Sequence, residues 1–177
     1  MAGVDSLRGK LLIAAPSLED FFHRAVVLVV EHTEEGAMGV VLNRPTDTPV
    51  VEAVDRLADL AGANDVLHIG GPVSAESVVA LGEFDDPAQA ARVLVGDLGL
   101  IDPEAPDPEL RDLRVYAGYA GWAPEQLEGE VEAEAWIVDD ARPGDPFHGD
   151  DLWPLALQRK GGAYALLATM PADPSQN

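Results

Sequence analysis

The segment Glu31–Pro45, EHTEEGAMGVVLNRP, concentrates the side chains of this protein best suited to chemistry. His32 stands beside Glu31 and close to Glu34 and Glu35, so its imidazole could carry a proton or bind a metal while a carboxylate fixes its tautomer. Further along, Asn43 and Arg44 offer an amide and a planar guanidinium fork stiffened by Pro45, a pair suited to a carboxylate or phosphate. Both features have plainer readings, and these lead. A strand-end histidine commonly bonds to a neighbouring carboxylate or to backbone, and Arg44 has many acids available as intramolecular partners.

Other chemical patterns are weaker. Gly70-Gly71-Pro72 follows an apolar stretch as a phosphate loop would, but Gly-x-Gly-x-x-Gly and the Walker lysine are missing, and Pro72 removes an amide donor. His68 lies within that apolar stretch and reads as a core or interface residue. The acidic run Asp139–Asp151 suggests calcium, yet on the twelve-residue calcium-loop template its third and fifth positions are Ala141 and Pro143, which supply no side-chain ligand. Ser74 and Ser77 stand outside any Gly-x-Ser-x-Gly elbow. Tyr116, Tyr119 and Trp122 could stack a planar ligand, although packing explains them as well. No metal and no cofactor are expected from these patterns.

Composition narrows the function classes. Across 177 residues, 32 Asp and Glu outweigh 11 Lys and Arg, for a formal net charge of −21. Such a surface repels nucleic-acid backbones and anionic lipid heads, and the basic residues are scattered. The absence of cysteine excludes disulfides, thiolate catalysis, zinc ribbons and iron–sulfur clusters. The longest apolar run, Ala25–Val30, is far below the roughly 20 residues that span a bilayer. The amino-terminal residues carry no charged start followed by an apolar segment, so a cytoplasmic protein is expected.

These side chains must be positioned by short elements. Lys10–Ala15 and Ala25–Val30 read as strands, the second apolar on both alternating faces and therefore covered on both sides. Ser17–Arg24 suits one helical turn. Thr33–Gly36 supplies a hairpin turn into Ala37–Leu42, which Pro45 is expected to stop. Thr48-Pro49 predicts a helix whose stripe is Val50, Val54, Leu57 and Ala61, ended by Gly62. Val66–Pro72 reads as a strand running into a Gly-Gly-Pro turn, Val78–Leu81 and Leu113–Trp122 as strands, Ala91–Val95 as strand or helix end, and Gly96–Pro108 as irregular.

Ala123 as cap, Pro124 at the first helical position and Gln126 at the third predict a helix, with Trp122 stapled onto Leu127. Ala135–Asp139 is a strand candidate. Asp150 or Asp151 can cap a helix over Leu152–Lys160 that Gly161-Gly162 ends, and Ala163–Met170 reads as a closing strand. The pattern predicts an α+β single domain over residues 1–177, with about 9–170 as its ordered core, a mixed, largely antiparallel sheet and about three main helices.

Taken in order, PSLEDFFHRAVVLVVEHTEEGAMGVVLNRP, IGGPV and GYAGWAPEQLEGEVEAEAW resemble the successive signature blocks of the YqgE/AlgH family of bacterial proteins. The resemblance runs from about Gly9 to about Met170. It implies a small cytosolic α+β protein without an established activity, and the AlgH name implies a transcriptional regulator of exopolysaccharide synthesis. SAESVVALGEF departs from the aromatic-aliphatic-histidine pattern expected after Gly-Gly-Pro-Val, and TMPADPSQN replaces a glycine-rich tail.

The signature residues Glu31, His32, Asn43, Arg44, Gly70, Gly71, Tyr119 and Trp122 are the candidates for a common binding surface. The leading functional expectation is a non-catalytic regulatory or binding protein that meets a protein partner or a small anionic ligand. The alternative is a hydrolase or transferase using His32 with nearby carboxylates and Arg44 as an anion clamp. Direct DNA contact is disfavoured by the charge, so a mobility-shift assay with duplex DNA is expected to show no retardation even at low salt; salt-sensitive binding would contradict that expectation.

Overall fold

The computed structural model describes residues 6–102, 104–105, 107–148 and 151–170. Among the described residues, ten strands form one curled sheet whose main path runs β10-β1-β2-β3-β9-β6-β8-β7. The strands are β1 (Lys10–Ala14), β2 (Val26–Thr33), β3 (Gly36–Val41), β4 (Pro45–Pro49), β5 (Val66–Ile69), β6 (Val73–Phe84), β7 (Arg92–Val95), β8 (Leu98–Leu100), β9 (Leu110–Trp122) and β10 (Trp136–Asp140). Every described pairing is antiparallel except that of β5 with β9. The α-helices among the described residues are α1 (Val50–Ala53), α2 (Gln126–Glu132), α3 (Leu152–Lys160) and α4 (Ala163–Leu167), and of these α2 and α3 reach seven residues. The α+β expectation holds coarsely, with sheet dominating and two substantial helices rather than three.

Alternation along the strands divides the core between the two faces. Leu11, Ile13, Val26, Leu28 and Val30 point to one face, where they meet Leu94 and Leu98 from β7 and β8 and Trp153, Ala156 and Leu157 from α3. Residues from distant strands can share a core only because the sheet curls, so this is the enclosed face. Arg8 donates to the carbonyl of Val93, and Gly9 donates to Val29 at 2.8 Å, which draws β7 round towards β2.

On the outer face, Leu12, Ala14, Val27, Val29 and Val41 pack beneath Trp122, Leu127 and Trp136. A second outer cluster joins Val50, Val54 and Leu57 to Ala80, Phe84 and Val115. The two-sided cover expected for Ala25–Val30 is therefore present, each buried Val or Leu contributing on the order of 1.5–3 kcal/mol.

Several elements differ from the sequence expectation for identifiable reasons. The predicted helix after Thr48 is broken: Val54 adopts an extended backbone (φ −134°, ψ 91°), and a separate 3-10 turn follows at Asp55–Leu57. Its apolar stripe still buries Val50, Val54 and Leu57. The strand before Pro45 ends as expected, at Val41, but Pro45 itself begins β4, because Pro45 and Pro49 align with His68 and Val66 on β5. The Ser17–Arg24 turn is a 3-10 turn at Asp20–Phe22. Within residues 91–95, Arg92–Val95 form strand β7, and the supposedly irregular stretch contains β8, which pairs with β7 and β6.

Ala163–Met170 supplies the helix α4, not a closing strand, as a short run rich in Ala and Leu permits. Asp151 occupies the cap position of α3 without a side-chain capping bond, while Asp150 lies outside the described residues. At the far edge of the sheet, Lys160 at the end of α3 donates to the carbonyl of Val138 on β10 at 2.8 Å.

The crossing of one chain segment over another fixes the centre of the sheet. β5 runs beside β9 with His68 opposite Tyr116 and Ile69 opposite Ala117, and Gly70 then donates to Ala117 and accepts from Val41, both at 2.8 Å. Three residues later Val73 pairs with Tyr119 on the opposite flank of β9. Between these points the backbone passes directly across β9. A Cβ on Gly71 would lie 2.0 Å from the carbonyl carbon of Tyr119, and one on Gly70 would lie 2.4 Å from the oxygen of Gly118. Gly118 itself takes φ +76°, a left-handed conformation that favours glycine.

Because the obstructing atoms at Gly71 are backbone, no rotamer change relieves the clash. Gly71→Ala is expected to lower unfolding stability by more than about 3 kcal/mol, or to prevent folding. Gly129→Ala on α2, where a Cβ meets nothing within 4 Å, serves as the control and is expected to be neutral or stabilising by up to about 1 kcal/mol. Urea melts of the two variants check the contrast.

Candidate functional site

His32 is buried and fully engaged. Its Nδ1 accepts the backbone N–H of Leu7 at 2.9 Å, which leaves the proton on Nε2, 3.3 Å from a carboxylate oxygen of Glu128 on α2. The imidazole thus fastens the amino-terminal segment and α2 to the end of β2. Asn43 is also a clamp: its side-chain oxygen accepts from Val26 and its amide donates to the carbonyl of Arg24, each at 3.0 Å.

Arg44 donates to the carbonyl of His23 and stacks over Phe21 at 5.4 Å, and partial burial lowers its pKa from the ordinary guanidinium value. Among the described residues no carboxylate lies within 4.0 Å of it, so the expected ion pair with an acid is replaced by a carbonyl bond and an aromatic stack.

The candidate residues do not form one surface. In the β2–β3 register His32 faces Ala37 at one end of the hairpin, while Val26, which Asn43 binds, lies at the other. Six strand residues at about 3.3 Å each separate His32 from Val26 by on the order of 20 Å. An active site that uses His32 together with Arg44 is therefore not assembled. Gly70, Gly71 and Tyr119 meet at the strand crossing, where tight backbone contact leaves no phosphate cradle.

Trp122 belongs to a further network. Its indole N–H and that of Trp136 both donate to Oε1 of Glu130 at 3.0 Å, while Gln126 donates to Oε2 at 2.9 Å. Gln126 also accepts from the N–H of Ala123, as a capping residue should, although the helix begins at Gln126 after Glu125 in a left-handed conformation. Trp122 and Leu127 share the outer core, but with Glu125 rather than Ala123 at the cap position they do not occupy the predicted staple positions. Glu130 escaped the sequence reading; its spacing of four from Gln126 was the available signal.

Within the acidic loop, Asp145 is likewise engaged. Asp145, 1% exposed, receives two bonds from the guanidinium of Arg159 and one from the N–H of Arg142, which raises the Arg159 pKa. Both carboxylate oxygens of Asp145 are thus committed to protein donors.

Two other arrangements stand out. His68, 2% exposed, donates from Nδ1 to the carbonyl of Val66 and accepts from Arg114 at Nε2. Burial, and then the charge of Arg114, lowers its pKa to about 4. Tyr116 beside it is fully buried, which raises its hydroxyl pKa.

The second is a cleft of about 500 Å³ between β2–β3 and β6–β8. Val30, Met38, Val78, Val79, Leu100 and Ile101 contribute to its apolar wall, and Glu31, Arg92 and Asp102 supply its charges. Glu31 and Arg92 pair across it. Of the candidate residues, Glu31 alone lines this cleft. Nothing local in the sequence marks Arg92, because the curl of the sheet brings it to a partner 61 positions away.

Comparisons with known proteins agree with this fold. A family model described as AlgH-like matches residues 11–165. A UPF0301 protein of Streptomyces coelicolor is 45% identical over 191 residues, covering 100% of this chain and 98% of its own. One from Mycobacterium tuberculosis is 40% identical, covering 96% and 90% respectively. A crystal structure of a Corynebacterium diphtheriae protein superposes with a TM-score of 0.83 at 32% identity, covering 96% of this chain and 95% of that one. The solution structure of the AlgH protein from Pseudomonas aeruginosa gives a TM-score of 0.70 at 28% identity, with 97% of each chain covered.

The depressed His68 pKa has a definite sign. Well above pH 6.5 the ring is neutral in both folded and unfolded chains; as pH falls from 6.5 towards 4 the unfolded chain takes the proton in preference to the folded one, and stability is progressively lost. His68→Gln is expected to flatten this part of the stability–pH curve, as measured by urea melts across that window.

Proposed function

This chain belongs to the AlgH-like family, and from that premise we propose a cytosolic, non-catalytic binding protein whose ligand site is the cleft between β2–β3 and β6–β8, with a regulatory output. The observation that carries the reading is the contrast between that cleft and the chemistry-bearing residues. His32, Asn43 and Arg44 spend their polar atoms on backbone and structural partners. The cleft instead presents open apolar wall, has a volume within the roughly 300–1,000 Å³ that small-molecule sites occupy, and places a few charged groups along its lining. Met38 adds an unbranched, polarisable side chain that adapts to different occupants.

A thermal-shift screen of metabolites against the wild type, Ala91→Trp and Arg44→Ala tests this. Ala91 lines the cleft and is exposed, so a tryptophan there fills the site without entering the core. Stabilising compounds are expected to lose their effect in Ala91→Trp and retain it in Arg44→Ala. Loss in Arg44→Ala alone would move the site to the far end of the β2–β3 hairpin.

A further inference from the structure

The charges of the cleft specify more than its shape. Glu31 on β2 and Arg92 on β7 form an ion pair and so neutralise one another. Asp102 follows β8 and Ile101. One of its oxygens accepts the N–H of Glu104 at 2.9 Å, and among the described residues no cation lies within 4.0 Å of its carboxylate. The cleft therefore carries one uncompensated negative charge beside an apolar wall, within a protein whose formal net charge is −21. Both the local group and the overall field favour a cation and oppose an anion.

Resting on the assignment of the cleft as the ligand site, we infer that its occupant is a small molecule with an apolar body and a single cationic nitrogen, an alkyl or aryl amine. The body lies against Val30, Met38, Val79 and Leu100, and the ammonium faces Asp102. This reverses the sequence-based expectation of an anionic ligand, which rested on Arg44. Arg92 is the guanidinium that lines the cleft, and Glu31 already holds it.

A matched series tests the inference: phenethylamine, phenethyl alcohol and 3-phenylpropionate, titrated at low ionic strength by calorimetry or by chemical-shift changes of cleft residues. The amine is expected to bind about five- to tenfold more tightly than the alcohol, with the carboxylate weakest. Asp102→Asn, a substitution at an exposed rim position, is expected to bring amine and alcohol to similar affinity, while Ala91→Trp abolishes binding of all three.

Equal or tighter binding of the alcohol or the carboxylate to the wild type, with loss in Ala91→Trp, overturns the cation preference and leaves the cleft assignment standing. Amine binding that survives Ala91→Trp, or no binding by any of the three, overturns both. An amine preference that survives Asp102→Asn in a normally folded protein removes Asp102 as its source and overturns the inference.

Discussion

Where the segment Gly70–Gly71 passes over β9, two backbones approach more closely than any side chain allows, and the arrangement of the whole sheet follows. The crossing carries the chain from a parallel partner on one flank of β9 to an antiparallel partner on the other. It brings β3 and β6 to either side of a single central strand, and the long β6 then leads to β8 and β7, which curl back towards β2. Without it, the two halves of the enclosed core, contributed by β1–β3 and by β6–β8, would lack a common spine. The glycines of IGGP and GYAG are complementary parts of this contact, which accounts physically for blocks far apart in sequence.

The other signature block has an equally local explanation. In GWAPEQLEGEVEAEAW, one carboxylate, Glu130, gathers the indoles of Trp122 and Trp136 and the amide of Gln126, so that α2 is held against the outer face of β1–β3 by polar bonds as well as by Leu127. His32 reinforces the same contact from β2 through Glu128. Polar residues that a sequence reader would nominate for catalysis are here the fastenings of a small helix, a use that a one-dimensional pattern cannot distinguish from chemistry.

What could be read in the sequence follows from the range of the interactions involved. The β-branched run Ala25–Val30, the Thr33–Gly36 hairpin and the Gly161 end of α3 depend on neighbours in the chain and were legible. The stretch after Thr48 was misread because pairing of β4 with β5, roughly 20 residues further on, and the extended backbone at Val54 override a plausible helix start. Ala163–Met170 was misread because a short apolar run carries no periodicity that separates helix from strand. Of the proposed cleft, Glu31 was visible as part of a charged turn, while Arg92 and Asp102 become its neighbours only through the curl of the sheet.

The bond from Lys160 to the carbonyl of Val138 has a bearing on how this protein behaves in a crowd. β10 is the terminal strand of the sheet's main path, and its outward backbone groups are the kind that recruit further strands from other molecules. A lysine laid on that edge occupies one of its acceptors and sets a fixed positive charge where an incoming strand would have to stack. The last turn of α3 thereby covers part of an edge that would otherwise offer free backbone acceptors, and the net negative charge adds repulsion between copies.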